Sequence, residues 1–412
     1  MLSRFLRYAD RQYGLREALA GIRDHRHHEQ GVKTFGVVAG LFFMACVQAG
    51  SLNRIEESLG RCPVSCRWRR WLGGAVPSAD RLGEVAEKLD LDDLRAGLQG
   101  HYRRRRRKKT LHPFANGRYM LILDGHEFAA SFCRSCPECT QRRVRRGKDK
   151  HIQYYHRYVL AYLVGRNGRV VLDLEMQQAH EGEIVAARRL VKRLLRACPR
   201  AFDVVGGDAL YLDPKLCRDL VEAGKDFIAV LKNKNRDLIQ DFNGLRGRVA
   251  VKNIQCHGHT CACRDIEGFT SWTSFGRPVR VVSSEETRLV RDPKTRTKVP
   301  VTSTWMWATT LSAAQMSTTQ LVHLGHRRWD IENYAFNELD KYWHADHVYH
   351  HHAHAMTAIL LILMLAYNLF HVWQARDIKP ALRDRYTVHF FAELLKSAFY
   401  GGLRIAVDPL PP

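Results

Sequence analysis

Cysteine is scarce in this sequence, and its first residues lack the apolar run and the small-residue cleavage site of a secretory signal. Eleven cysteines among 412 residues are too few for a disulfide scaffold. We therefore expect a protein of the reducing cytoplasm.

Long uninterrupted apolar runs are also missing. Of the two most apolar stretches, residues 35–49 are too few to cross a bilayer, and residues 356–373 contain Asn368 and His371. We interpret both stretches as buried core helices and expect no membrane association.

Acidic residues are outnumbered: 42 Asp and Glu stand against 65 Lys and Arg, which gives a formal charge of +23. With 45% hydrophobic and 26% charged residues the composition is globular, which excludes a disordered, collagen-like or coiled-coil chain. A basic excess of this size favours a polyanionic partner, and nucleic acid is the commonest one.

Residues 1–110 have helical periodicity, clearest at 34–49, 52–59 and 78–100. Short helices joined by Gly and Pro turns are common in DNA-binding domains, but no recognition-helix fingerprint is present, so a helical cap or a dimerisation domain fits equally well. The run RRRRRKK at 103–109 is interpreted as a linker that is solvated or bound to phosphate. Arg103, Arg104 and Arg105 are therefore predicted DNA contacts.

From residue 119 the pattern changes to strands. We predict strands at 119–123, 154–164, 169–176, 201–207 and 226–231, a hairpin turn at Asn167-Gly168, and helices at 181–198 and 213–224. Asp124 ends the first strand and Asp208 ends the fourth. The order of elements makes these strands neighbours, so both carboxylates are expected at one edge of the sheet.

Residues 234–311 have the short strands and turns of a mostly β insertion, with strands expected at 248–251, 271–282 and 302–311. Helical spacing resumes at Ser317 and continues through Trp329 to about Tyr342. The last long apolar helix is expected at 355–373.

Two strand-end carboxylates suit phosphodiester chemistry, which uses two divalent cations about 4 Å apart. Because Mg²⁺ prefers carboxylate ligands, a third acid should come from a helix beside the strands. Glu332 lies four residues after Arg328 on one helical face, and Arg328 would orient it or neutralise a phosphate. The alternatives are a strand-end cap for either aspartate and a surface ion pair for Arg328 and Glu332.

Three segments resemble the DDE transposases of bacterial insertion sequences: LILDGHEF at Asp124, VVGGDALY at Asp208 and RRWDIENYAFNELDKYWHADH at Glu332. The resemblance covers about residues 115–370 and includes the β insertion. It implies an α/β fold of the ribonuclease H-like type, with a mixed sheet, flanking helices and a helical N-terminal domain. It also implies catalysis by Asp124, Asp208 and Glu332 with two Mg²⁺ or Mn²⁺ ions, assisted by Arg328.

The same resemblance guides the division of the chain. We expect a helical DNA-binding or dimerisation domain at 1–110, a catalytic domain at 111–233 that is completed by 312–375, the insertion at 234–311, and a C-terminal tail at 376–412. The family's carboxy motif has Tyr where this chain has Gly325 and Lys where it has Leu339. Lys341, two residues on, would then make the phosphate contact.

Cys133, Cys136 and Cys139 are spaced to converge on Zn²⁺, with His151 and His156 downstream. Similar transposases carry a Cys-x2-Cys and a nearby His at this place, which makes Cys136, Cys139 and His156 the preferred ligands and Cys133 a further candidate. Reduced loop cysteines are the alternative. A second cluster, CHGHTCAC at 256–263, is a weaker indication of zinc, because its Cys-x-Cys pair is not followed by a second pair of ligands.

A second basic run, QRRVRRGKDK at 141–150, predicts further DNA contacts, and an aromatic residue of the insertion would stack on a base near the cut, as in similar transposases. Each single Trp also fits the core. The predicted contacts in these two segments are Arg142, Arg143, Arg145, Arg146 and Trp305.

The function predicted from these features is a transposase that binds the ends of its own element as a homodimer, cleaves the DNA and transfers the strand to target DNA. It would be cytoplasmic and associated with the nucleoid. Two alternatives stay open: a transposase-derived DNA-binding protein without catalysis, and a ribonuclease H-like nuclease without strand transfer.

Overall fold

The computed structural model describes residues 1–26, 32–61, 75–114, 116–147, 149–232, 236–256, 258–293 and 295–400. Helices and one mixed sheet make up its regular structure.

Helices precede the sheet, as the periodicity predicts. Ser51, Ser78 and Asp90 each cap a helix by accepting backbone N–H groups of its first turn. Helix α3 is buried almost all round, which explains its uniformly apolar sequence. The helices of this region are α1 (Leu2–Tyr13), α2 (Leu15–Ala20), α3 (Thr34–Cys46), α4 (Leu52–Gly60), α5 (Ala79–Ala86) and α6 (Leu91–Arg107).

The basic run at 103–109 is not a linker, because α6 continues through it to Arg107. Its guanidinium groups satisfy carbonyl and carboxylate oxygens of the protein: Arg103 donates to the carbonyl of Ala197 at 2.9 Å, and Arg104 pairs with Glu17 at 2.9 Å. Arg105 is 4% exposed and donates to a carbonyl of the sheet. The predicted DNA contact from Arg105 is therefore wrong, since its side chain cannot reach solvent.

A ten-stranded mixed sheet forms the centre of the described molecule, in the order β2-β3-β1-β5-β6-β10-β9-β8-β7, with β4 paired to β3. The β1–β5 and β5–β6 pairs are parallel and the others antiparallel. The first six strands are β1 (Met120–Ser131), β2 (Thr140–Arg146), β3 (Asp149–Val164), β4 (Arg169–Met176), β5 (Val204–Gly207) and β6 (Asp226–Val230).

Both faces of the sheet are covered. Met120 and Ile122 of β1 belong to the core shared with α3 and the long C-terminal helix, whereas Leu121 and Leu123 belong to the core formed by α7 (Glu183–Ala197) and α8 (Pro214–Glu222). Alternate residues of a strand point to opposite faces, so a strand covered on both faces reads as a continuous apolar run.

The predicted β insertion extends this same sheet, because its last strand pairs with β6. Its elements are α9 (Arg236–Leu245), β7 (Lys252–Cys256), β8 (His259–Phe269), β9 (Val279–Arg291) and β10 (Lys298–Thr309). The strand predicted at 248–251 is wrong: Arg246–Arg248 form a short 3-10 turn and pairing starts only at Lys252, opposite Cys263.

Beyond the sheet, turns connect a series of helices up to residue 400. The helices are α10 (Thr318–His326), α11 (Asn337–Trp343), α12 (Ala353–Asp377), α13 (Pro380–Arg385) and α14 (Val388–Tyr400). The predicted C-terminal tail is thus helical as far as it is described, and Phe391, Leu395 and Phe399 of α14 are buried. Residues 401–412 of that tail lie outside the described residues.

Helix α12 is long and apolar enough to span a membrane, and among the described residues it is the one helix that meets this test. Nearly all of its most apolar window, 94%, is buried within the protein. Asn368, in this helix, bonds to both the N–H and the carbonyl of Val171 in β4. These contacts explain the polar residue in an otherwise apolar helix.

Candidate active site

Asp124 and Asp208 lie on neighbouring parallel strands. Ile122 of β1 is paired with Gly206 of β5, so each aspartate lies two residues beyond this pair. Asp208 directly follows β5, and its Oδ1 accepts the backbone N–H two residues on at 2.8 Å, in a turn that leaves the sheet. The predicted adjacency is confirmed. The strand end predicted at Asp124 is wrong, because β1 continues to pair with β3 as far as Ser131.

Glu332 is carried by an irregular segment rather than by the continuous helix that the spacing predicts. After α10 the chain makes a 3-10 turn at Arg327–Trp329 and a π-helical turn at Ile331–Phe336 before α11 begins. Single π turns within helices are often found at functional sites. The change of pitch turns the side chains of this segment relative to a regular helix.

Arg328 connects the irregular segment to the sheet. Its side chain is 9% exposed and bonds with Nη2 to Glu332 Oε1 at 2.9 Å and with Nη1 to Asp124 Oδ2 at 3.4 Å. Its guanidinium also lies 4.3 Å from the centre of the Trp329 ring. The expected orientation of Glu332 by Arg328 agrees with this geometry, and the surface ion pair does not, because Arg328 is buried.

Burial and neighbouring charges both act on the pKa of the Asp124 carboxyl. Its pKa is raised from 3.8 to about 7. Burial is the largest cause, and the guanidinium of Arg328 opposes it. Three neighbouring carboxylates raise the pKa further, those of Asp208, Glu183 and Glu332. The site therefore has more negative charge than Arg328 neutralises, which is the environment that binds divalent cations.

Glu183 is a fourth carboxylate that sequence reasoning missed. It lies in the first turn of α7, is 11% exposed, and accepts a hydrogen bond from the hydroxyl of Tyr211 at 2.9 Å and pairs with Arg157 at 3.4 Å. Its carboxylate occupies the space above Gly125 where any larger residue would place a Cβ. The glycine after Asp124 was the available signal, because it leaves room for a side chain from another element.

A family model for the transposase DDE domain matches residues 116–369, more than half of the 412-residue chain. The chain belongs to the DDE transposase family. The match includes all three acids named from the sequence, and together with the mixed sheet and its flanking helices it supports the predicted ribonuclease H-like α/β fold. Among curated proteins, none matches the chain.

Two departures from the family's carboxy motif have structural reasons. A Cβ at Gly325 would lie 2.5 Å from Nε1 of the buried Trp307, so a tyrosine cannot fit there. Leu339 is fully buried, which excludes a lysine that must contact DNA. Lys341 is exposed on α11, two residues on, where it is free of these constraints.

The transposase brings three of the four predicted zinc ligands together. Cys136 Sγ and Cys139 Sγ are 3.5 Å apart, and they lie 3.4 and 3.2 Å from His156 Nε2. Zn–S bonds of about 2.3 Å and Zn–N bonds of about 2.0 Å would separate tetrahedral ligand atoms by roughly 3.6 Å. Cys133 is exposed and does not belong to the group.

The second basic run forms β2, at one edge of the sheet. Arg142 pairs with Glu127 through both terminal nitrogens and packs 4.7 Å from the Tyr155 ring centre. Arg143 and Arg145 are exposed. The side chain of Arg146 lies outside the described residues. An edge strand lined with arginines has unpaired backbone groups and positive charge on the same side.

Trp305 belongs to an aromatic group beside Arg328. Its ring lies 6.3 Å from that of Trp329 and 6.3 Å from that of Trp307, and its indole N–H is buried without a hydrogen-bond partner. Trp272 and Trp307 are buried, so the core interpretation applies to them. Trp305 is half-buried and retains an accessible surface next to the site.

Proposed function

We propose that this transposase binds the ends of its own insertion sequence, cleaves the DNA there and transfers the cut strand to a target duplex. The observation that carries the proposal is the convergence of Asp124 and Glu332 on Arg328, with Asp208 on the adjacent strand. An acid from a strand and an acid from a helical turn thus meet at one guanidinium group.

The donor set fits two Mg²⁺ or Mn²⁺ ions. Hard divalent cations take carboxylate oxygens, and the pKa of Asp124 is raised by burial first and further by the neighbouring carboxylates of Asp208, Glu183 and Glu332. Asp124, Asp208 and Glu332 would hold the ions. Bound ions of this kind lower the pKa of the attacking oxygen and stabilise the leaving oxygen of a phosphodiester.

Arg328 has two roles in this proposal. It fixes the Glu332 carboxylate through a bond of 2.9 Å, and its second terminal nitrogen, 3.4 Å from Asp124, would pair with the scissile phosphate. Glu183 acts as a positioning residue: held by Tyr211 and Arg157, it contributes negative charge to the site while most of its side chain is covered.

DNA would follow the basic edge strand towards the carboxylates. Arg142, Arg143 and Arg145 line β2, and Arg146 follows them in sequence. Lys341 and Trp305 would extend the contact on the side of the Glu332 segment. Because an element has two ends, we propose a homodimer, and a DNA substrate makes the cytoplasm and its nucleoid the expected location.

A structural zinc ion completes the proposal. Cys136, Cys139 and His156 have the separations of three tetrahedral ligands, and the cluster joins the loop before β2 to β3. Zinc would thereby fix the base of the arginine-lined hairpin. Burial lowers the pKa of His156 to about 4, so its imidazole is neutral and able to ligate.

The test is a cleavage and strand-transfer assay on labelled DNA carrying the sequences that flank the gene, with Mg²⁺ or Mn²⁺. Wild type is compared with Glu332→Gln and with a matched control, Glu222→Gln, an exposed glutamate on α8. We expect nicking at a defined terminus and joining to a second duplex, both lost in Glu332→Gln and retained in the control.

Other outcomes would replace the proposal. Tight binding to the flanking DNA without cleavage would indicate a DNA-binding protein derived from a transposase. Cleavage without joining would indicate a nuclease. Full activity of Glu332→Gln would remove Glu332 from the site.

A further inference from the structure

A second group of thiols and imidazoles lies far along the sheet from Cys136, where the β7–β8 hairpin meets helix α10. Cys256 ends β7, His259 and Cys261 lie in β8, and His323 lies in the last turn of α10. Both cysteines are buried, at 1% and 0% exposure. The proposed transposition chemistry uses none of these side chains.

The potential ligand atoms form a chain of close contacts that runs from His323 through Cys256 and Cys261 to His259. Cys256 Sγ lies 3.8 Å from His323 Nδ1, and the Cys256 thiol contacts the thiol of Cys261. Cys261 Sγ also forms a group with nitrogen of His259 and an oxygen of Glu286, in which all atoms lie within 4.8 Å of one another. Sulfur and nitrogen ligands of tetrahedral zinc would be about 3.6 Å apart, close to the separation of Cys256 and His323.

Glu286 has another part in this group. Its carboxylate accepts hydrogen bonds from Ser284 at 3.0 Å, Arg288 at 2.8 Å and His326 at 2.6 Å, and Oε2 lies 3.5 Å from His259 Nε2. A carboxylate that is already bonded in this way orients a neighbouring imidazole rather than ligating a metal, an arrangement common around histidine ligands. The sulfur and nitrogen donors of the group are then two thiols and two imidazoles.

We propose that these four side chains bind a structural zinc ion, at a site separate from the one at Cys136. The ligands are Cys256, His259, Cys261 and His323. The donor set of two sulfurs and two nitrogens is one that zinc prefers over the harder Mg²⁺ of the catalytic carboxylates.

The site would attach the far end of the sheet to the helix that leads into the active site. His323 precedes Arg328 by five residues, and His326 between them bonds to Glu286 of β9. Zinc at this place therefore holds α10 against β7 and β8, and with it the start of the irregular segment that carries Arg328 and Glu332.

The first experiment is metal analysis of the purified full-length protein by inductively coupled plasma mass spectrometry. We expect two zinc ions per chain in the wild type, one in Cys261→Ser and one in Cys136→Ser. Cys198→Ser removes a buried thiol outside both groups and should retain two. One zinc in the wild type that Cys261→Ser retains and Cys136→Ser loses would overturn this site and leave the Cys136 site intact.

A second measurement covers the case in which Cys261→Ser does not fold. Zinc-edge X-ray absorption of Cys136→Ser should show one zinc with two sulfur neighbours at about 2.3 Å and two nitrogen neighbours at about 2.0 Å. Absence of zinc from Cys136→Ser would disprove the site. Because neither measurement depends on DNA cleavage, failure of the transposase proposal would leave these results interpretable.

Discussion

Asp124 and Glu332 belong to the same site, but a β-strand carries the first and an irregular helical turn carries the second. Asp124 lies inside a strand whose backbone is paired with β3 beside it, while β5 pairs with the same strand just before it. Glu332 lies in a π-helical turn, is 39% exposed, and is held by an ion pair with Arg328. Backbone hydrogen bonding positions the first carboxylate, whereas one side chain positions the second. Substitutions should therefore act differently at the two places.

The largest effect is expected from the strand-borne acids. Asp124→Asn and Asp208→Asn should each reduce Mg²⁺-dependent cleavage roughly 10³-fold, since loss of a metal ligand removes several kcal/mol of transition-state stabilisation. Single-turnover cleavage measures this. The fold should survive, because neither side chain maintains the β1–β5 pairing. A loss below about tenfold would contradict the assignment.

The next largest effect is expected at Arg328, which acts by positioning Glu332 and Asp124. Arg328→Lys keeps the charge but cannot reach Glu332 and Asp124 with two separate nitrogens, so we expect a loss of roughly 10 to 100-fold in cleavage. Arg327→Lys, next to it in the same turn, is the matched control, because Arg327 pairs with Asp330 instead. Equal losses of cleavage in the two variants would indicate that both substitutions disturb the 3-10 turn as a whole.

Gly125→Ala tests whether cleavage at the strand-borne Asp124 depends on the Glu183 carboxylate above Gly125. The new methyl group would displace the Glu183 carboxylate, so cleavage should fall about tenfold, and Glu183→Gln should give a loss of similar size. The double variant should be no worse than either single one, because both act on the same carboxylate. Additive losses would show that Glu183 is not the residue through which Gly125 acts.

The smallest effect is on stability and follows from the raised pKa of Asp124. The folded protein holds this proton up to about pH 7, whereas the unfolded chain releases it near 3.8, so ionisation destabilises the fold as pH rises between these values. Without divalent cations, Asp124→Asn should therefore melt at a higher temperature than wild type at pH 8 and at nearly the same temperature at pH 3.5.

Thermal melts in a chelating buffer check this, and added Mg²⁺ should raise the wild-type melting temperature at pH 8 more than that of Asp124→Asn. If the difference in melting temperature between the two proteins is the same at pH 3.5 and pH 8, ionisation of Asp124 is not its cause.

Local patterns were sufficient for much of the catalytic domain. Short apolar runs on either side of the Asn167-Gly168 turn marked β3 and β4, and the strand order placed Asp124 beside Asp208 because neighbouring parallel strands end at the same edge of the sheet. The Cys136, Cys139 and His156 group was also accessible, since short spacings along the chain limit how far ligands can separate. These features depend on neighbours in sequence.

Features that depend on distant neighbours were missed or misread. The arginine run at 103–109 has the sequence of a solvated segment, yet Arg105 is buried, and the carbonyl groups of Arg169 in β4 and of Thr110 accept its hydrogen bonds. Glu183 reads as an ordinary first-turn helix residue, and only packing of α7 against the sheet, at β3 and β4, brings it over Gly125.

The sequence by itself determined the family, the three acids of the motif, the pairing of Arg328 with Glu332, and the helical and strand segments, because each is encoded within a few consecutive residues. Tertiary structure decided that the insertion continues the main sheet, that Glu183 joins the site, that Gly325 excludes a tyrosine, and that cysteines and histidines from β7, β8 and α10 meet. These outcomes arise from contacts between elements far apart in the chain. Such contacts form only when the packing of the whole core offsets the entropy lost in bringing distant segments together.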